Sequence, residues 1–168
     1  MRHLLPGVLA CLATCLLSAC QQYDITVNEK RVYTPQPLFE DFAVDDPALQ
    51  QCLEQAIDSN RISRASQLQE LSCRDAGIST LSGLGTFSAL RRIDVSGNRI
   101  GQIGELAELG SLEEVYLVDN QIVDPLPLAD LQALNSVDLA GNHVLRCPDR
   151  QALLRVSHLR LPAHCVGH

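Results

Sequence analysis

From residue 68 onward the apolar positions return every 22 residues. Leu68, Leu90, Leu112, Leu134 and Val156 form one column, and Leu71, Ile93, Val115, Val137 and Leu159 form a second, three residues further on. Two residues beyond these lie Cys73, Val95, Leu117, Leu139 and Leu161. Ile78, Ile100, Ile122, Val144 and Val166 keep the same register, as do Leu84, Leu106 and Leu128, and then Phe87, Leu109, Leu131 and Leu153. Around the second and third columns, apolar and polar residues alternate. This period of two predicts one short strand per unit, with the columns facing a core and their neighbours facing outward. A unit of this length cannot bury its own apolar face, so the units must stack and share one continuous core.

One polar column interrupts the pattern: Asn98, Asn120 and Asn142. Backbone groups that point inward at the turn after each strand need partners. An Asn amide both donates and accepts, so it can bridge successive units. Ala76 and His164 occupy this position in the first and last units, and terminal units of a stack are expected to be atypical. Pro125 and Pro127 stiffen the third unit on the side away from its strand, the side on which Ile103 is also expected.

Ahead of the repeats, Asp46-Pro47-Ala48-Leu49 reads as a helix start, with Asp46 as cap and Pro47 in the first turn. Leu49, Cys52, Leu53 and Ala56 follow at helical spacing, and the helix is expected to end near Ser59-Asn60. At the N-terminus, Arg2 precedes an almost wholly apolar run from Leu4 to Leu17, followed by the small residues Ser18 and Ala19. That is the layout of an export signal over residues 1–19, and the run is short for a membrane span, which needs about 20 residues. Residues 20–45 read as a tether with two prolines, Pro35 and Pro37. Val32, Tyr33, Leu38, Phe39 and Phe42 make it more apolar than a free linker requires, which leaves its docking on the domain open.

The pattern L-x-x-L-x-L-x-x-N-x-I resembles the leucine-rich repeat, and the short period is similar to that of internalins and phosphatase-regulatory repeat proteins. The resemblance covers residues 46–168. It implies an α/β solenoid of four to five coils, with a short parallel sheet on its concave face. It also implies an N-terminal helical cap over 46–67, and repeats with a C-terminal cap over 68–168. A second resemblance is independent of the first: Leu17-Ser18-Ala19-Cys20 is similar to the lipobox of bacterial lipoproteins. It implies a lipid on Cys20, cleavage before it, and anchoring by several acyl chains. Gln21 after the Cys implies sorting to the outer membrane. The expected location is the bacterial envelope, facing the periplasm or the cell surface.

Composition narrows the possibilities. The formal net charge of −7 argues against nucleic acid as a partner and suits a monomer that repels its own copies. Of seven cysteines, Cys11 and Cys15 leave with the signal and Cys20 takes the lipid, so four remain. An even number in an oxidising compartment implies disulfides. The ends of a solenoid lie too far apart to bridge, so the expected pairs are Cys52–Cys73 and Cys147–Cys165. Cys147, His158, His164, Cys165 and His168 raise zinc as a rival, but their spacing matches no compact finger. No metal and no cofactor is expected. No nucleophile elbow, zinc-protease helix, P-loop or dinucleotide fingerprint is present, so the protein is read as no enzyme and no residue as catalytic.

Function is then expected on the outward strand positions. Glu70, Arg74, Arg92, Asp94, Glu114, Tyr116, Asp138, His158 and Arg160 form the candidate binding face, with Tyr116 at its middle. Tyr and Arg are favoured anchors in binding hot spots. The expected function is a membrane-anchored repeat protein that presents this surface to a protein or peptide. The alternative is a structural envelope lipoprotein whose charges merely pair across strands and bind nothing specific. The phosphatase-regulatory resemblance suggests no partner here, because those partners are cytosolic.

Overall fold

The computed structural model describes residues 25–27, 30–33, 37–149 and 152–166. The signal segment and Cys20 lie outside the described residues. The chain divides into two compact units, Met1–Pro37 and Leu38–His168. In the first, strand β1 (Ile25–Val27) pairs antiparallel with β2 (Lys30–Tyr33). Among the described residues no helix is long and apolar enough to cross a membrane.

The second unit holds helix α1 (Pro47–Ser59), then strands β3 (Glu70–Ser72), β4 (Arg92–Asp94), β5 (Glu114–Tyr116), β6 (Ser136–Asp138) and β7 (His158–Arg160). The five strands form one parallel sheet in sequence order. Its register follows the 22-residue period: Leu71, Ile93, Val115, Val137 and Leu159 are opposite one another. Between strands the chain returns through 3-10 turns at Leu84–Phe87, Gly104–Glu108 and Leu126–Asp130, which stack on one another. The core lies between the sheet and these turns, and from Leu68 to Leu139 its columns are 3% exposed or less. Ile103 belongs to that core at 1% exposure. It lies on the side away from the sheet but faces inward, so it offers no outward surface there.

The Asn column closes each coil onto the next. Asn120 donates from Nδ2 to the carbonyls of Val95 (3.0 Å) and Leu117 (3.3 Å), and its Oδ1 accepts the Ile100 N–H (3.0 Å). Asn142 repeats this with Leu117, Leu139 and Ile122, and Asn98 with Cys73, Val95 and Ile78. One buried side chain thus satisfies inward-facing backbone groups on two coils at once.

A second ladder was not legible as such. Asp75, Gly97, Asp119 and Gly141 stand 22 residues apart and all take positive φ (53°, 73°, 52° and 77°). The Asp75 Oδ1 lies 2.0 Å from where a Cβ on Gly97 would sit, and the Asp119 Oδ1 lies 1.9 Å from that point on Gly141. Each Asp therefore requires glycine in the following coil, both for its backbone and for the space beside it.

Two boundaries differ from the sequence reading. Residues 38–45, placed in the tether, belong to the domain. Leu38, Phe39, Phe42 and Val44 pack on the core, the Phe39 N–H donates to the Ile62 carbonyl (2.8 Å), and Phe39, Phe42 and Phe87 form one aromatic cluster. The first coil has an open apolar end, and this segment covers it together with α1. The last two coils depart from the register. Val144 and Val166 are 58% and 75% exposed, where Ile78, Ile100 and Ile122 are fully buried. Leu145 enters the core in place of Val144, a shift of one residue after Asn142.

Candidate binding face

Asp46 sets α1 against the first coil. Its Oδ1 accepts the N–H groups of Ala48 (2.8 Å) and Leu49 (3.2 Å), which caps the helix. Its Oδ2 accepts the Ser79 N–H and hydroxyl, each at 2.7 Å. Burial pushes this carboxyl up, but the Ser79 backbone and hydroxyl bonds and the Leu49 and Ala48 backbone bonds outweigh it, leaving the pKa lowered from 3.8 to about 2. Cys52 on α1 is joined to Cys73, just after β3, with Cα atoms 5.9 Å apart. Cys147 is joined to Cys165 in the last coil, Cα to Cα 5.3 Å. Side-chain atoms of Cys147, His164 and Cys165 all lie within 4.8 Å of one another, but both sulfurs are spent in the disulfide and a His164 ring nitrogen contacts the Leu145 carbonyl (2.9 Å).

The outward residues of the strands form two rows across the sheet. Glu70, Arg92, Glu114, Ser136 and His158 make one, and Ser72, Asp94, Tyr116, Asp138 and Arg160 the other. At the centre the Arg92 guanidinium stands over the Tyr116 ring, 4.7 Å from its centroid, and pairs with Glu114. The Tyr116 hydroxyl donates to Glu114 (2.9 Å). Arg92, Glu114 and Tyr116 thus form a closed triangle in which each member fixes the other two.

Two similar pairs flank the triangle. Arg74 pairs with Asp94 (3.1 Å) and Arg160 with Asp138 (3.4 Å). Each Asp also accepts a backbone N–H two residues on, from Ser96 (3.1 Å) and Ala140 (3.0 Å). The carboxylates are therefore held, whereas the Arg74 and Arg160 side chains are 62% and 74% exposed. Exposed pairs of this kind hold weakly and are easily displaced. His158 lies exposed at the far end of its row. Nine sequence-selected residues thus share one surface, and six of them are paired across strands.

Two features were missed. Arg91 and Glu113, one residue ahead of β4 and β5, make a further cross-strand pair (3.0 Å), visible in sequence only as opposite charges 22 residues apart. A groove of about 550 Å³ also opens between α1 and the first strands, with Gln55, Ala56, Ser59 and Asn60 on one side and Glu70, Ser72 and Asp94 on the other. The expected Cys52–Cys73 pair placed α1 beside the first strand, but no spacing rule gave the gap between them.

No family model matches the chain. Leucine-rich repeat-containing protein 56 of Rattus norvegicus is 36% identical over 86 residues, which is 49% of this chain and 16% of that protein. An internalin of Listeria monocytogenes superposes with a TM-score of 0.60 at 20% identity, over 70% of this chain and 36% of the internalin. Internalin C2 of the same species gives a TM-score of 0.58 at 22% identity, over 70% of this chain and 53% of the other. The chain therefore spans only part of each protein it matches, and none of the three bears an enzyme's name. The strand order, the register and these superpositions agree: the fold is a leucine-rich-repeat solenoid of the internalin type, capped by an N-terminal helix.

Proposed function

We propose that this protein is a lipid-anchored repeat protein of the bacterial envelope that binds a protein or peptide on its concave sheet. Repeat solenoids of this kind commonly serve as protein-binding scaffolds. The observation that carries the reading here is the Arg92–Glu114–Tyr116 triangle at the centre of the sheet. It offers an aromatic and an Arg, the residue types that dominate hot spots, already held in one geometry. Such preorganisation lowers the entropy lost when a partner docks. Attachment through Cys20 rests on the lipobox resemblance and on the apolar run before it.

One observation favours a second reading, a structural spacer. The Arg74–Asp94 and Arg160–Asp138 pairs leave much of the face internally neutral. In-cell photo-crosslinking from position 116 separates the two, with Ala107 as the control because it is exposed on the Gly104–Glu108 turn. A discrete adduct from 116 and none from 107 supports binding. No adduct from either, with the protein folded and membrane-bound, supports the spacer. Cys20→Ala should release the protein from membranes, and continued attachment of that variant would sink the lipid-anchor reading.

A further inference from the structure

The groove beside α1 has a charge pattern that the rest of the face lacks. In the first outward row, Glu70 and Glu114 stand on either side of Arg92. One arginine cannot fully serve both. Arg92 leans toward Glu114 and over Tyr116, and the Glu70 carboxylate makes no hydrogen bond or ion pair with any described residue. Glu70 lines the groove with Asp94 and Arg92; Asp94 is paired with Arg74 and Arg92 with Glu114, so Glu70 carries the groove's unneutralised charge.

The opposite wall is the C-terminal half of α1, a helix of 13 residues with no basic residue in its last turn. The Asn60 and Ile62 N–H groups cap its last carbonyls, and Arg61 just beyond it pairs with Asp58 (3.6 Å), so the residual negative end is weak. Asn60 donates its Nδ2 to the Ala56 carbonyl (2.8 Å), which leaves its Oδ1 as an acceptor. The space exists because Ala56, Ser59 and Ser72 are small. Its walls are polar and open, which suits an extended charged side chain better than a compact apolar ligand.

Resting on the binding reading above, we infer that this groove receives a Lys or Arg side chain of the partner polypeptide. The cation sits between the Glu70 carboxylate and the C-terminal end of α1. The partner chain enters the concave sheet from this end and continues toward Tyr116. Charge complementarity carries the choice of occupant: a carboxylate with no ion pair among the described residues, the Asn60 Oδ1 acceptor on the facing wall and a chain of net charge −7 favour a basic segment.

The test uses the purified protein and three hexapeptides of Gly and Ser that carry a single central Arg, Lys or Gln, titrated by amide NMR. The Arg and Lys peptides should shift the amides of Asn60, Glu70 and Ser72, and the Gln peptide should not. Glu70→Gln should weaken the Arg peptide about three- to fivefold, the size of one exposed ion pair. Glu108→Gln, the same charge change on an exposed residue of the Gly104–Glu108 turn, should leave it unchanged. Absence of shifts, shifts spread over the acidic surface, or equal effects of the two variants would overturn the inference. Crosslinking separates this failure from failure of the broader reading. An adduct from 116 that is unaffected by Glu70→Gln and absent from position 55 sinks the groove and leaves the binding face standing. Absence of an adduct from 116 sinks the face itself.

Discussion

Asp46→Asn is the sharpest test of how the cap is held. The substitution keeps the shape and the Oδ1 acceptor that caps α1. It replaces Oδ2, which accepts from the Ser79 N–H and hydroxyl, with an NH2 group that turns donors toward donors. The magnitude follows from the carboxyl, whose pKa falls from 3.8 to about 2. At 1.36 kcal/mol per unit, that lowering corresponds to about 2.5 kcal/mol of charge-dependent stability. Because the folded pKa lies below the unfolded one, this stability is present in full above the unfolded value and is lost as pH falls through the folded value. The assay is urea unfolding of both proteins, disulfides intact, between about pH 7 and pH 2.5. Other carboxylates titrate in both proteins and cancel in the difference. The gap between wild type and variant should be about 2.5 kcal/mol or more near neutrality and should shrink by about 1.5 kcal/mol near pH 2.5. A gap that does not change with pH, or one below about 0.5 kcal/mol at neutrality, would refute the charge-bridge account.

Three further outcomes follow from the packing. Asn120→Ala leaves the Ile100 N–H without its acceptor and removes one of the two Asn donors from each of the Val95 and Leu117 carbonyls, so chemical denaturation should show a loss of about 1–3 kcal/mol. Gly141→Ala places a Cβ 1.9 Å from the Asp119 Oδ1 at a φ of +77° and should cost more than about 1 kcal/mol. Asp119→Gly should relieve part of that cost in the double variant, and strict additivity would count against the Asp–Gly ladder. Replacing either cysteine pair by serines should lower stability by about 3 kcal/mol, since each closes a loop of similar size (separations 21 and 18). A much smaller loss at Cys147–Cys165 would mean that the last coil is held by other contacts.

The sequence by itself determined the period, the strand positions and the outward rows. A strict 22-residue repeat ties residue i to residue i+22 on the neighbouring strand, so local spacing already encodes tertiary neighbours. For the same reason the bridging role of Asn98, Asn120 and Asn142 was readable, as was the start of α1 at Asp46-Pro47.

What the period does not relate was decided only by the tertiary structure. The docking of Phe39 and Phe42 against Phe87 joins a segment outside the repeat to one within it. The second role of Asp46, on Ser79, joins residues 33 apart across the cap. Whether Arg92 turns to Glu70 or Glu114 could not be read, because both stand beside it at equal spacing. The Tyr116 ring on one side breaks the tie, and that choice leaves Glu70 without an ion pair among the described residues. A repeat encodes which residues are neighbours, and competition among those neighbours is settled only when all of them are in place.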